Sequence, residues 1–189
     1  HDAGVRVPIP HHFGENVLIM EMITNEDGNP APRLWDVQLS KTEALEVHSF
    51  LIRQVVRMLC AGIVHGDLSE YNILISSDGP VIIDLPQATD AAHNRNSEAI
   101  FLRDVKNLRL FLSRFASQLQ ETQYGPEIWD LYTKGQLHPD SVLTGRFKPD
   151  TRQADTAGIL AEIQASLGEA SVLFFGSWPP FCEIVSLID

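Results

Sequence analysis

Asp67, Asn72 and Asp84 are the residues whose types and spacing could do chemistry. The first two stand five apart in the string His65-Gly66-Asp67-Leu68-Ser69-Glu70-Tyr71-Asn72-Ile73-Leu74, and Asp84 closes the run Val81-Ile82-Ile83. Two carboxylates and an amide are hard oxygen donors, which suit Mg²⁺ or Mn²⁺ rather than zinc. Phosphoryl transfer asks a protein for that ion, held phosphates and an oriented nucleophile, and for little covalent work. Asp67 is the candidate catalytic carboxylate, placed to accept a hydrogen bond from an attacking hydroxyl or water. Asn72 offers a metal a neutral oxygen and Asp84 a charged one. Any one of the three alone reads as a turn cap, because Asp and Asn side chains bond readily to nearby backbone. The whole string carries the functional reading. His65 reads as a prop for the loop backbone, and Ser69 and Glu70 as residues that shape the loop.

These side chains need elements to hold them. Ile73–Ile75 and Val81–Ile83 read as strands joined at Ser77-Asp78-Gly79, a hairpin that brings Asp84 back toward Asn72. Upstream, Ser40-Lys41-Thr42-Glu43 spells a capping box. A helix is expected from there to about Ala61, with Ala44, Leu45, His48, Leu51, Ile52, Val55, Met58 and Leu59 on one face and Gly62 as its stop. Cys60 is expected inward on that face as a buried thiol. The dense apolar run Val17–Ile23 reads as a buried strand, and 25–32 as a polar linker punctuated by Gly and Pro. A strand ending in such a linker can offer free backbone groups to a purine edge, which singles out Glu21 and Ile23. Downstream, 84–96 reads as irregular and Ser97 as the cap of a helix over 98–115. Pro126 is expected to open a short helix that Gly135 closes. Thr151–Leu167 reads as a last helix, and the final twenty residues give no period.

Composition narrows the function. The 189 residues carry a formal charge of −11 and are 44% hydrophobic, enough for one sizeable core. A grip on nucleic-acid phosphates needs a basic face, and none is visible; Arg103, Lys106 and Arg109 read as a solvated helix face. No run is long enough for a membrane span, and 1–4 show no secretory signal. The two cysteines, Cys60 and Cys182, form no metal or disulfide pattern, which fits a cytoplasmic setting. His11, His12, His93 and His138 are scattered among loops, and Trp129 and Tyr132 read as core packing.

The catalytic string with Ile82-Ile83-Asp84 resembles the RIO family of atypical protein kinases, most closely its Rio1-like branch. Leu18–Ile23 and Pro30–Leu34 with Val37–Ser40 are similar to that branch's hinge and linker. Phe101–Leu108 is similar to the helix after its metal Asp, and Tyr124–Phe147 to the tail of bacterial Rio1-like chains. The resemblance implies an α+β fold, the mostly helical C-lobe of a kinase with a hinge strand and a catalytic-loop hairpin, using ATP and Mg²⁺. It implies Asp67 as the catalytic Asp, Asn72 and Asp84 as metal ligands, Met20 as gatekeeper, and the backbones of Glu21 and Ile23 against adenine. In this family the residue matching Asp84 is also implicated as a transient phosphate acceptor, so an ATPase cycle stands beside serine transfer to a protein substrate or to the protein itself.

Departures from ordinary kinases are visible. Gly66 takes the place of the usual Arg before the catalytic Asp, and Leu85-Pro86 follows Asp84 where Phe-Gly is usual. Lys41, Lys106, Lys134 and Lys148 all follow the hinge, and no glycine-rich loop precedes it. The expected layout is therefore an N-lobe remnant and hinge over 1–23, a linker over 24–40, the C-lobe over 41–168 and a tail over 169–189, the whole being half of a longer kinase. Two other readings stay open: a small-molecule kinase of the aminoglycoside or choline type, against which Ser69-Glu70-Tyr71 speaks, and a non-catalytic scaffold.

Overall fold

Ser40 opens the longest helix through a reciprocal pair of hydrogen bonds. Its hydroxyl accepts from the Glu43 N–H at 3.2 Å, and the Glu43 carboxylate accepts from the Ser40 N–H at 2.7 Å, satisfying two otherwise orphaned donors. The computed structural model describes residues 1–148, and this helix, α1, spans Lys41–Cys60. Gly62, at φ 77°, ends it as expected. Ala44, His48, Leu51, Ile52, Val55, Met58 and Leu59 are buried along one stripe, the pattern of an amphipathic helix. Cys60 corrects the expectation: its thiol is exposed. Nine positions after Leu51, at about 100° per residue, it falls on the opposite side of the helix.

Two further helices close the core. Helix α2 spans Ser97–Leu112 and α3 spans Tyr124–Thr133, with short 3-10 turns at Leu34–Asp36 and Ser117–Glu121. Phe101, Val105, Leu108 and Leu112 of α2 and Ile128 of α3 are buried against α1. Trp129 stacks on Phe101 at 5.5 Å and on Tyr132 at 5.3 Å, so these two aromatics of α3 serve packing. Ser97 is not the cap: it lies inside α2, buried, and its hydroxyl donates to the Ala91 carbonyl at 2.7 Å. Helix α2 also stops at Leu112, short of Phe115. Helix α3 begins two residues before Pro126, which the first turn tolerates because its missing N–H would have no helical partner there. The helix expected over 151–167 and the tail over 169–189 lie outside the described residues.

The strands form three two-stranded pairs, giving an α+β fold with small sheets. β1 (Pro10–Gly14) pairs with β2 (Val17–Met20), β3 (Ile63–Val64) with β6 (Thr89–Asp90), and β4 (Ile73–Ser76) with β5 (Gly79–Ile82), all antiparallel. The β4–β5 hairpin stands where expected, turning at Ser77-Asp78. The N-terminal segment is stitched beside it: the Arg6 N–H donates to the Gln54 side chain at 2.8 Å, and Arg6 accepts from the Ile82 N–H at 2.9 Å. The run from Val17 departs from expectation twice. It is a strand only to Met20, and all four strand residues are exposed, Val17 at 59% and Ile19 at 53%. Apolar composition favours burial only where another layer supplies contacts, and among the described residues β2 pairs with β1 alone. The β3–β6 pair was not expected, because Thr89-Asp90 lies in a polar stretch without alternation. None of the described helices is long and apolar enough to cross a membrane.

Candidate active site

The loop between β3 and β4 carries Asp67 and Asn72. The Asn72 side-chain amide donates to the Asp67 carbonyl at 2.9 Å and to the Asp67 carboxylate at 3.3 Å. Both contacts use its nitrogen, which leaves Oδ1 without an intramolecular donor among the described residues. The Asn72 N–H donates to the Ser69 carbonyl at 3.0 Å and closes the loop, and the Ile83 N–H donates to the Asn72 carbonyl at 3.0 Å. That second bond ties the residue before Asp84 to Asn72. Asp84 itself adopts φ 68°, a left-handed conformation that a residue with a Cβ adopts at a cost. Asp67 and Asp84 are exposed, and Asn72 is half-buried. The polar tips therefore face solvent while the backbone beneath them is fixed.

What fixes it comes mainly from α2. Asp104 is 2% exposed, and its carboxylate accepts from the Gly66 N–H at 2.8 Å and the Leu68 N–H at 3.3 Å. Arg103 donates to the Gly66 carbonyl, and Asn107 to the Leu68 carbonyl at 3.3 Å. Burial pushes the Asp104 carboxyl above the usual carboxylate range, against the pull of those two amides and of His65 and Arg103. Arg103 is thus no mere solvated base. Arg109 likewise donates to the carbonyls of Gln120 and Thr122. Sequence reading passed over Asp104, although a signal was present. It stands three residues after Phe101 and four before Leu108, a carboxylate on an apolar stripe. His65 acts as the expected prop: Nε2 donates to the Ile83 carbonyl at 3.0 Å and Nδ1 accepts from the Asp67 N–H at 3.3 Å.

Gly66 has a positive reason of its own. Its φ is 89°, and a Cβ there would overlap the carbonyl oxygen of Gln87, in the turn closed by the Ala88 N–H on the Leu85 carbonyl. Ser69 and Glu70 shape the loop through their backbones, Glu70 accepting from the Trp35 N–H at 3.2 Å. Trp35 in turn stacks on Tyr71 at 5.1 Å, beside the loop.

The residues expected at a hinge form a separate group. Met20 is 45% exposed. The Glu21 N–H donates to the Ile9 carbonyl at 2.8 Å, the Glu21 carboxylate accepts from the Ile9 N–H at 3.1 Å, and the Ile23 carbonyl accepts from the Ala31 N–H at 2.9 Å. The Glu21 carbonyl and the Ile23 N–H are left without partners among the described residues. Glu21 and Ile23 line a cavity of about 390 Å³ together with Val5, Val7, Ile9 and Val81. No hydrogen bond joins this group to Asp67, Asn72 or Asp84 among the described residues. Nor do three His, Cys, Asp or Glu side chains gather as a metal cluster among them; the candidate set Asp67, Asn72 and Asp84 includes an amide.

The family model for the RIO domain matches residues 1–124. The chain belongs to the RIO family. Relatives of this RIO chain include the RIO-type serine/threonine-protein kinase Rio1 of Haloferax volcanii, 42% identical over 113 residues, covering 59% of the chain and 37% of the relative. The serine/threonine-protein kinases RIO1 of Homo sapiens and Caenorhabditis elegans are 39% and 37% identical over 114 residues each, covering 59% of the chain and 20% and 22% of those proteins. The matched part of the RIO chain is thus well under half the length of these relatives.

Proposed function

We propose that this chain carries the catalytic and metal-holding part of a RIO-type serine kinase or ATPase that uses ATP and Mg²⁺ (or Mn²⁺), organised as a kinase C-lobe behind a hinge. The observation that carries the reading is the orientation of Asn72. With its nitrogen spent on Asp67, its oxygen is the atom offered outward, and Asp84 is tethered beside it through Ile83. An amide oxygen and a carboxylate are a fitting donor set for a hard divalent cation that keeps waters and phosphates as its other ligands. The chemistry such an ion supplies is neutralisation of charge on the transferring phosphates. Asp67 accepts a hydrogen bond from the attacking hydroxyl or water, and Asn72 holds that carboxylate's direction. Asp104, Arg103 and Asn107 keep the loop from drifting, which matters because misplacement of about 1 Å can cost about 10²-fold in rate. At the hinge behind Met20, the unpaired Glu21 carbonyl and Ile23 N–H are the acceptor and donor that an adenine edge requires.

Turnover of γ-labelled ATP by the protein at the full length its gene encodes tests the reading. Asp67→Ala is expected to lower kcat by about 10²-fold or more, and chelation of divalent cations to abolish turnover. Hydroxylamine-labile label that Asp84→Asn removes would assign the ATPase branch, and stable label on serine the kinase branch. Full turnover by Asp67→Ala would overturn the proposal.

A further inference from the structure

The loop that carries Asp67 and Asn72 lies along α2, with an arginine beside each end of it. Arg103 stands at the Gly66 end, where one guanidinium nitrogen donates to the Gly66 carbonyl and lies 3.8 Å from the Asp104 carboxylate. At the other end the Tyr71 ring lies 5.1 Å from that of Trp35. Trp35 packs in turn on Phe111 of α2 at 6.1 Å. The Arg114 guanidinium, just past the end of α2, lies over both rings, 5.6 Å from Trp35 and 5.3 Å from Phe111. Between the two ends, Asn107 holds the Leu68 carbonyl.

Both arginines keep donors in reserve. A guanidinium carries several N–H donors in a fixed fork. Arg103 uses one nitrogen, and its side chain is 55% exposed. Arg114 is exposed and makes no hydrogen bond or ion pair among the described residues. A guanidinium held over an aromatic face leaves its N–H rim free to grip a carboxylate. The two rings at this end are themselves half in solvent, Trp35 at 44% and Tyr71 at 43%. The chain as a whole carries a formal charge of −11 and repels an acidic partner, so such a partner finds its attraction where cations like these are presented.

We propose that this strip seats a protein substrate: an extended segment with acidic side chains on both sides of its acceptor serine and an apolar side chain for the Trp35–Tyr71 rings. The proposal rests on the phosphoryl-transfer reading of Asp67 and adds the substrate class to it. Arg103 and Arg114 stand about 16 Å apart at a helical rise of about 1.5 Å per residue. An extended chain covers that distance in about five residues. One acidic side chain pairs with each guanidinium, and the serine between them falls over the loop where Asp67 stands. Nucleobases also stack on exposed aromatics, but a phosphate backbone calls for a continuous basic face, and this strip supplies two separated charges.

Calorimetry without ATP, on the protein at the full length its gene encodes, tests the seat apart from turnover. The probe is a peptide with a serine between two glutamates about five residues apart, each glutamate followed by a leucine. Saturable binding is expected, and replacing both glutamates with lysine should weaken it about tenfold or more. Arg114→Gln should weaken the glutamate peptide about fivefold or more, and Arg114→Lys should restore most of that loss. In turnover assays Arg114→Gln should raise KM for the peptide by a similar factor, with kcat and peptide-independent ATP hydrolysis unchanged. Equal binding of the lysine peptide, unchanged affinity in Arg114→Gln, or no saturation up to about 1 mM peptide overturns the proposal. So does a single-stranded oligonucleotide that binds as tightly as the peptide, which would make the strip a nucleic-acid surface. Turnover that depends on Asp67 but shows no preference among the peptides counts against this proposal alone. The expected peptide pattern with turnover indifferent to Asp67→Ala supports the acidic-peptide seat and counts against the catalytic reading.

Discussion

Gly66 shows how a single residue sets the terms for its neighbours. In the sequence it reads as the loss of an Arg that ordinary kinases carry. In the structure it is the one residue type that fits, because its left-handed φ and the Gln87 carbonyl above it leave no room for a Cβ. Gly66→Ala must strain the backbone and displace the 85–88 turn together. The expected loss is on the order of 3 kcal/mol, read as a lower urea midpoint at unchanged slope. A variant within 0.5 kcal/mol of the parent would mean that the turn yields freely. Asn72 makes the complementary point. Its residue type was legible as a candidate ligand, but only the direction of its nitrogen toward Asp67 says which atom is left free for the proposed metal.

At the scale of elements, α2 is a two-sided strut. Arg103, Asp104 and Asn107 grip the loop that carries Asp67, while Phe101, Val105 and Leu108 bury into the core. The periodicity that announced this helix said nothing of the grip, because it records which side is apolar and not what a polar group on that side will meet. Asp104→Asn is nearly isosteric, yet it turns an NH₂ toward one of two backbone donors. It is expected to cost about 2 kcal/mol or more, by thermal or urea unfolding, and to accelerate hydrogen exchange at Gly66 and Leu68. Normal stability with normal exchange would show that the carboxylate does not hold the loop. Helix α1, by contrast, was legible almost to the residue, since its cap and its stop are decided within four positions of each end. The β3–β6 pair was not, since its partners lie more than twenty residues apart and one of them has no strand pattern.

For the whole molecule, burial of His48 links folding to pH. Its pKa falls from 6.5 to about 4 on folding, through desolvation. The depressed value means that the neutral ring is favoured by the fold. Its contribution is fully present above pH 6.5 and is lost as pH falls toward 4, by about 3 kcal/mol across that window. Asp104 works in the opposite sense: its raised pKa favours the protonated form, so its share is present in acid and declines as pH rises through the carboxylate range. Because the His48 window opens first on acidification, Tm is expected to drop between pH 7 and pH 4.5. His48→Phe should flatten that drop; an equally steep profile in the variant would place the linkage elsewhere.

The sequence by itself determined the chemistry on offer and its order along the chain. It named Asp67, Asn72 and Asp84, the hairpin that returns the last of them, the capped helix before the loop, and the family. Each rests on bonds or residue types close in sequence, where local geometry leaves few alternatives. Only the tertiary structure decided the rest. It exposed β2, which composition alone would bury, because burial needs an opposing layer. It also joined Gly66 to Asp104 across 38 residues, and it buried His48 with its Nε2 unpaired among the described residues. Contacts between distant segments depend on how helices and sheets pack, and no pattern within one segment carries that information.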